Sequence, residues 1–274
     1  MKIDAILSPA ELPALAKRDL RNATCVVFDV LRATSTIVTA LHNGARAIMP
    51  VSEIAEALAC RRKQPDLLLG GERDGVKIRA AQTGGVDFDL GNSPREYTPE
   101  KVRGKTIVST TTNGTRALRA CAGAQTVLAA SFLNLTATAK FIRQHQPAEV
   151  LLVCAGTREN VATEDVLAAG ALGEMLIGWG ETPGGPNAAQ MQSGSRVRSP
   201  HQKEKNELSD SAETAISTWR KSKANLLEVV SGAENARRLL ANPELRDDVA
   251  FCLQRDVYNL VAALGRDGAI RISI

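Results

Sequence analysis

Residues 24–43 read TCVVFDVLRATSTIVTALHN, and the parsing of this stretch decides the fold class. TCVVFDV is an almost unbroken apolar, β-branched run, the pattern of a strand buried on both faces. One acid, Asp29, interrupts it near its end; helical periodicity takes over through STIVTALHN, and Gly44 is placed to stop the helix. A strand that passes directly into a helix is half of a parallel-sheet unit.

The same alternation extends to both sides. Upstream, MKIDAIL reads as a strand, and SPAELPALAKR opens with Ser8, Pro9 and Glu11, a capping box with proline at the first helical position. Downstream, ARAIMPV, LLLG, TIVST, QTVLAAS and EVLLVCA read as strands, and SEIAEALACRR, with Ser52 as its cap, RALRACA, LTATAKFIRQH and TEDVLAAGALGEMLIGW as helices. The expectation is an α/β fold with a mostly parallel sheet, covering helices and a helix-rich C-terminal third. Residues 1–180 form the α/β catalytic portion. Residues 181–207, rich in Gly, Pro, Ser and cations without apolar period, read as a flexible polar insertion in preference to a lid. Residues 208–274 read as helices followed by a last strand, GAIRISI, packed on the first portion.

Composition removes several classes of function. A formal charge of +4, from 34 Lys and Arg against 30 Asp and Glu with no long single-sign block, gives no duplex-binding surface. Aromatic residues at 3% are too few for a base-stacking platform, so no nucleic-acid partner is expected. The five cysteines form no CxxC and sit among apolar neighbours, which reads as reduced core thiols. Three histidines (His42, His145, His201) do not supply a histidine metal site. Acids at Asp4 and Glu11 stand where a signal peptide is apolar, and no uncharged apolar run reaches membrane-spanning length. A cytoplasmic protein with no membrane partner is expected, and a homodimer is left open.

In an open parallel sheet, ligands bind at the carboxyl ends of the strands. Non-periodic polar residues cluster after four of them: Asp29-Val30-Leu31-Arg32, Gly71-Glu72-Arg73-Asp74-Gly75, Thr110 through Thr115, and Cys154 through Arg158, the last followed by Glu164-Asp165. Gly91-Asn92-Ser93-Pro94 adds a turn between two of these loops. Arginines Arg32, Arg73 and Arg158, Asn92, and the helix-opening Thr112, Asn113 and Thr115 suit a phosphate-bearing anion, through guanidinium forks and unpaired backbone N–H groups. Asp29, Glu72 and Asp165, without histidine or paired cysteine, favour a hard cation, Mg²⁺, bridging protein and phosphate.

Each element also has a plainer reading. Asp29 and Thr112–Thr115 can cap helices, Glu72 with Arg73 can be a surface ion pair, and Glu164 with Asp165 can serve a helix dipole. Cys154 is the one thiol at a strand end and a candidate phosphoryl-accepting nucleophile, although burial as a small hydrophobe competes with that role.

The strings VVFDVLRATSTIVTAL, GERDG, DFDLGNSPREY, IVSTTTNGTRAL and VCAGT…TEDVLAAG, in this order over roughly residues 24–173, resemble the 2-phosphosulfolactate phosphatase family. The resemblance implies Mg²⁺-dependent acid phosphatases of coenzyme M biosynthesis in a family-specific α/β fold, hydrolysing (R)-2-phospho-3-sulfolactate to sulfolactate and phosphate. A substrate carrying sulfonate, carboxylate and phosphate on three carbons gives several arginines a rationale. Relatives acting on another small phosphorylated hydroxy acid fit the same pattern. A haloacid-dehalogenase-like phosphatase, with Asp247-Asp248 as its late acidic pair, is disfavoured because Leu31 stands where a second aspartate is required. A noncatalytic anion-binding module lacks a G-x-G-x-x-G or Walker loop.

Overall fold

A computed structural model describes residues 1–15, 17–178 and 206–273. The strands are β1 (Lys2–Ile6), β2 (Ala23–Phe28), β3 (Ala47–Pro50), β4 (Leu68–Arg73), β5 (Val76–Lys77), β6 (Thr106–Thr110), β7 (Thr126–Ala130), β8 (Glu149–Cys154), β9 (Glu207–Leu208), β10 (Val261–Leu264) and β11 (Ile270–Ser273). They form one mixed sheet in the order β5-β4-β6-β3-β11-β10-β7-β2-β8-β1-β9. Two groups are parallel, β4-β6-β3 and β7-β2-β8-β1, and the antiparallel hairpin β10–β11 joins them through β7 and β3.

The continuous apolar strands are buried on both faces, as their composition requires. Along β2, Val26 and Phe28 enter one core while Cys25 and Val27 enter the other; along β8, Val150, Leu152 and Cys154 alternate with Leu151 and Val153 in the same way. The first core is covered by helices Leu135–His145, Thr163–Gly178 and Asp210–Ser222. The second holds Cys25, Val27 and Val153 from one parallel group and Ile48 and Ile107 from the other. Ile37 and Leu41 of helix Ala33–His42 and Leu118 of helix Gly114–Ala120 complete that core. The sheet therefore curls around these two helices, and strand ends far apart in its order come together.

Most expected elements are present. The capping box at Ser8 and Glu11 forms, opening a 3-10 turn (Pro9–Glu11) and one short helix (Leu12–Leu15). Ser52 does not cap its helix. Helix Ile54–Lys63 begins after Glu53, and the Ser52 carbonyl instead accepts from Arg73 and Thr110. The last strand, expected to pack against the first portion, is one arm of a hairpin inserted in the middle of the sheet. Its turn, Gly265 to Gly268, carries the Asp267-Gly268 hairpin signal. Of the tract 181–207, all but Asn206 and Glu207 lies outside the described residues, and Glu207 begins β9. All five cysteines are free thiols, and no described helix is long and apolar enough to cross a membrane.

Candidate active site

Asp29 follows the last residue of β2 and folds back on the next helix. Its Oδ1 accepts from the Ala33 N–H at 3.1 Å, and its carbonyl accepts from the Thr34 N–H at 2.9 Å. It is not the N-cap of helix Ala33–His42, a position held by Arg32, but it satisfies one first-turn amide and keeps one oxygen to spare. Oδ2 faces the loop after β6, where Gly114 passes so close that a Cβ would stand 2.8 Å from Oδ2 and 2.6 Å from the Ala33 Cβ. Only glycine permits that approach.

Asp29, Arg32, Glu72, Asn92, Thr112, Asn113 and Arg158 all line one pocket of about 60 Å³. A wider cleft of about 390 Å³ adjoins it, sharing Arg32, Gly75 and Asn92. Asp29 and Glu72 do not sit on neighbouring strands; β4 and β2 are separated by five strands in the sheet, and the curl brings their ends together.

The loops hold these groups by directed bonds. Glu72 Oε1 accepts from the Thr112 N–H at 2.8 Å and from its hydroxyl at 2.9 Å, while Oε2 accepts from the Gly75 N–H at 2.7 Å. The Thr112 amide expected to meet phosphate is therefore spent on fixing Glu72. Arg32 is 3% exposed; it donates to Asp248 Oδ2 at 2.8 Å and to the Gly75 carbonyl at 2.6 Å. Asp248, completely buried, also accepts from Ser93 Oγ at 2.7 Å. This bonding commits Asp248 to Arg32 and away from the late acidic role of the dehalogenase-like alternative. Arg158 stands in the left-handed region with φ 57, a conformation uncommon for a side-chain-bearing residue.

Four expected residues are not brought to the pocket. Arg73 turns back to the Ser52 and Glu72 carbonyls and Thr110 Oγ1. Thr115 is buried, its hydroxyl donating to the Thr111 carbonyl at 2.8 Å in the first turn of its helix. Asp165 clips two strand ends: its oxygens accept from the N–H groups of Val30 at 2.8 Å and Gly156 at 3.0 Å. Cys154 has no exposed surface and its thiol is pushed well above its ordinary range by burial, with nearby carboxylates adding to the effect. A thiol so placed is not a nucleophile for a solvent-borne phosphoester.

The sequence reading missed Asn235 and Arg238, which line the pocket from helix Glu234–Leu240. AENARRLLAN shows only amphipathic periodicity, which hides them. Asn235 Nδ2 donates to Glu164 Oε1 at 2.9 Å and to Thr157 Oγ1, while Arg238 donates to Asn235 Oδ1 at 3.1 Å.

The electrostatics are those of crowded acids. Burial pushes the Asp29 carboxyl up to about 7; the Ala33 N–H opposes this, and repulsion from Glu72 and Glu164 adds to it. Glu164 and Asp165 are likewise raised, chiefly by burial. Glu164 Oε2 is buried with no hydrogen-bond partner. An orphaned carboxylate oxygen, a spare Asp29 oxygen and like charges in a dry setting fit a hard divalent cation. Among the described residues no three His, Cys, Asp or Glu side chains are grouped to hold a metal ion, so the expected set of Asp29, Glu72 and Asp165 is not assembled: Asp165 spends both oxygens on backbone N–H groups.

A family model described as 2-phosphosulpholactate phosphatase matches residues 10–267, a span that takes in Asn235, Arg238 and Asp248 as well as the strand-end loops. A protein of Caldanaerobacter subterraneus subsp. tengcongensis named "Probable 2-phosphosulfolactate phosphatase" is 37% identical over 260 residues, 93% of this chain and 93% of its own. Proteins bearing the same name from Thermotoga maritima, 37% identical over 262 residues (96% of this chain, 95% of its own), and Clostridium acetobutylicum, 34% identical over 262 residues (95% and 96%), align over similar spans. The class these matches define is that of phosphoric monoester hydrolases. The chain belongs to the 2-phosphosulpholactate phosphatase family.

Proposed function

We propose that the protein hydrolyses the phosphate monoester of (R)-2-phospho-3-sulfolactate, giving sulfolactate and phosphate in the coenzyme M route, with Mg²⁺ as cofactor. The observation that carries this reading is the pairing, in one small pocket, of crowded carboxylates with arginines. Asp29 and Glu72 would hold the ion, and Glu164, whose Oε2 has no hydrogen-bond partner, adds to its attraction. When bound, the ion supplies Lewis-acid stabilisation of the charge that builds on the phosphate oxygens.

The chain's own residues do the rest. Arg32, immobilised by Asp248 and the Gly75 carbonyl, turns its remaining N–H groups to phosphate in a fixed direction, so none of its order has to be created during reaction. Thr112 keeps Glu72 aimed by two bonds, and Asn113 adds an amide to the lining of the same pocket. Water attacks phosphorus, the ester P–O bond breaks, and the departing alkoxide takes up the proton that the attacking water gives up, leaving the hydroxy acid and phosphate.

A phosphate-release assay over small phosphoesters, with Mg²⁺ and after chelation, tests this. The expected result is Mg²⁺-dependent release that is fastest with 2-phospho-3-sulfolactate. Release from none of the esters, or faster turnover of another phosphorylated hydroxy acid, overturns the assignment.

A further inference from the structure

We infer that Arg238, which lines the pocket together with Arg158, is a specificity-determining residue: it receives the acidic group of the substrate that is not transferred. This rests on the phosphatase reading above and concerns which phosphoesters the site selects.

The inference follows from an account of the pocket's cations. Arg32 is ion-paired with Asp248, which also stands 3.6 Å from Arg95, and Arg73 turns to Ser52 and Thr110. Arg158 and Arg238 remain, both exposed, and neither makes an ion pair among the described residues. The pocket also holds Asp74, an exposed acid in the turn before Gly75. The carboxylates Asp29 and Glu72 attract a cation and, through it, phosphate. These two guanidinium groups, which make no direct ion pair among the described residues, then meet whatever else the substrate carries, and a carboxylate or sulfonate matches a guanidinium fork.

Arg238 differs from a solubilising surface arginine in being anchored. Its Nη2 donates to Asn235 Oδ1, and Asn235 is itself buried and fixed by its bonds to Thr157 and Glu164. Its guanidinium also lies over Gly75, where a Cβ would stand 3.7 Å from Nε. One bond sets its direction and leaves the other N–H groups for a ligand. The neighbouring Arg237 provides the contrast: it is exposed, donates to the Gly232 carbonyl at 2.7 Å and lies outside the pocket. By sequence the two arginines are indistinguishable; by position only one faces the substrate.

The test compares 2-phospholactate with isopropyl phosphate, which replaces the carboxylate by a methyl group and keeps the phosphate. In Mg²⁺-containing buffer the parent enzyme should favour the acidic ester, and Arg238→Ala should lower the ratio of the two kcat/KM values about tenfold or more, mainly through KM. Arg238→Lys should restore part of that ratio, and Arg237→Ala should keep it. A ratio in Arg238→Ala within about threefold of the parent overturns the inference. If the parent releases phosphate from neither ester, the phosphatase reading itself fails. Calorimetric binding of 2-phospholactate then decides: about tenfold weaker binding in Arg238→Ala supports the acid-receiving role, and equal binding overturns it.

Discussion

Arg32 and Asp248 stand 216 residues apart in the chain, yet Arg32 Nη1 donates to Asp248 Oδ2 at 2.8 Å in a place closed to solvent. The C-terminal third thus sets the direction of an arginine on the loop after β2. Breaking one side of a buried pair leaves the other charge uncompensated, at a cost of about 3–5 kcal/mol. Asp248→Asn should lower the unfolding free energy, read from urea melts, by that order. Arg32→Lys should lose nearly as much activity as Arg32→Ala, because an ammonium cannot serve Asp248, the Gly75 carbonyl and phosphate with a planar fork. A lysine variant with parental kcat/KM would reduce Arg32 to a simple positive charge.

Chelation should abolish phosphate release, and added Mg²⁺ should restore it. Glu72→Gln should raise the Mg²⁺ concentration needed for half-maximal rate while leaving a folded protein, since the amide oxygen can still accept from Thr112 or Gly75. Undiminished turnover in metal-free buffer would disprove the ion's role.

The raised acids predict how metal-free stability responds to pH. A carboxyl held near 7 when folded and near its ordinary value of about 4 when unfolded favours folding fully at low pH and loses that contribution as pH rises. Glu164 and Asp165 act in the same direction. Asp19 and Asp267, held down to about 2 by Arg21 and Arg271, act in the opposite sense but only below about pH 4. The melting temperature of chelated protein should therefore fall between pH of about 4 and about 7, and saturating Mg²⁺ should flatten the fall. Asp29→Asn should show a shallower slope than the parent; an identical slope would remove Asp29 from this account.

Gly114→Ala places a methyl group against Ala33 and Asp29 Oδ2. The loop after β6 must retreat, and small displacements of catalytic groups cost rate steeply. The expected result is a fall of about tenfold or more in kcat with a stability loss of only about 1–3 kcal/mol, read by steady-state kinetics and thermal melting on the same preparation. A variant with unaltered kcat would show that the close approach is only packing.

Cys154→Ala should keep its phosphatase activity and lose about 1 kcal/mol from the small void it leaves. Thiol alkylation of the native protein should likewise spare turnover, since Cys154 has no exposed surface. Inactivation by the alanine change, with folding intact, would return the thiol to the chemistry.

Local patterns carried the parallel strands, the capping box at Ser8 and the clustering of Asp29, Glu72, Asn92 and Thr112 at strand ends, because alternation and loop composition are written in neighbouring residues, whereas they misplaced the cap at Ser52 and the start of helix Ala33–His42. What stayed hidden depends on the curl of the sheet and on long-range bonds. That Asp165 spends both oxygens on Val30 and Gly156, or that Arg73 turns toward Ser52, follows from where other loops arrive. Asn235 and Arg238 sit in a helix whose pattern reports only its buried face. Strand β10 was legible in principle, since NLVAALGRDGAIRISI places Asp267-Gly268 between two apolar runs.

The hairpin β10–β11 lies between β3 and β7, though both of those strands precede it by much of the chain. During synthesis the two parallel groups emerge first, each with an unpaired edge where the hairpin will later insert. Such edges are templates for pairing with another chain. The nascent polypeptide must therefore keep β3 and β7 from foreign partners until residues 261–273 arrive, and ribosome stalling just before that segment would release an aggregation-prone species in place of a partly active enzyme.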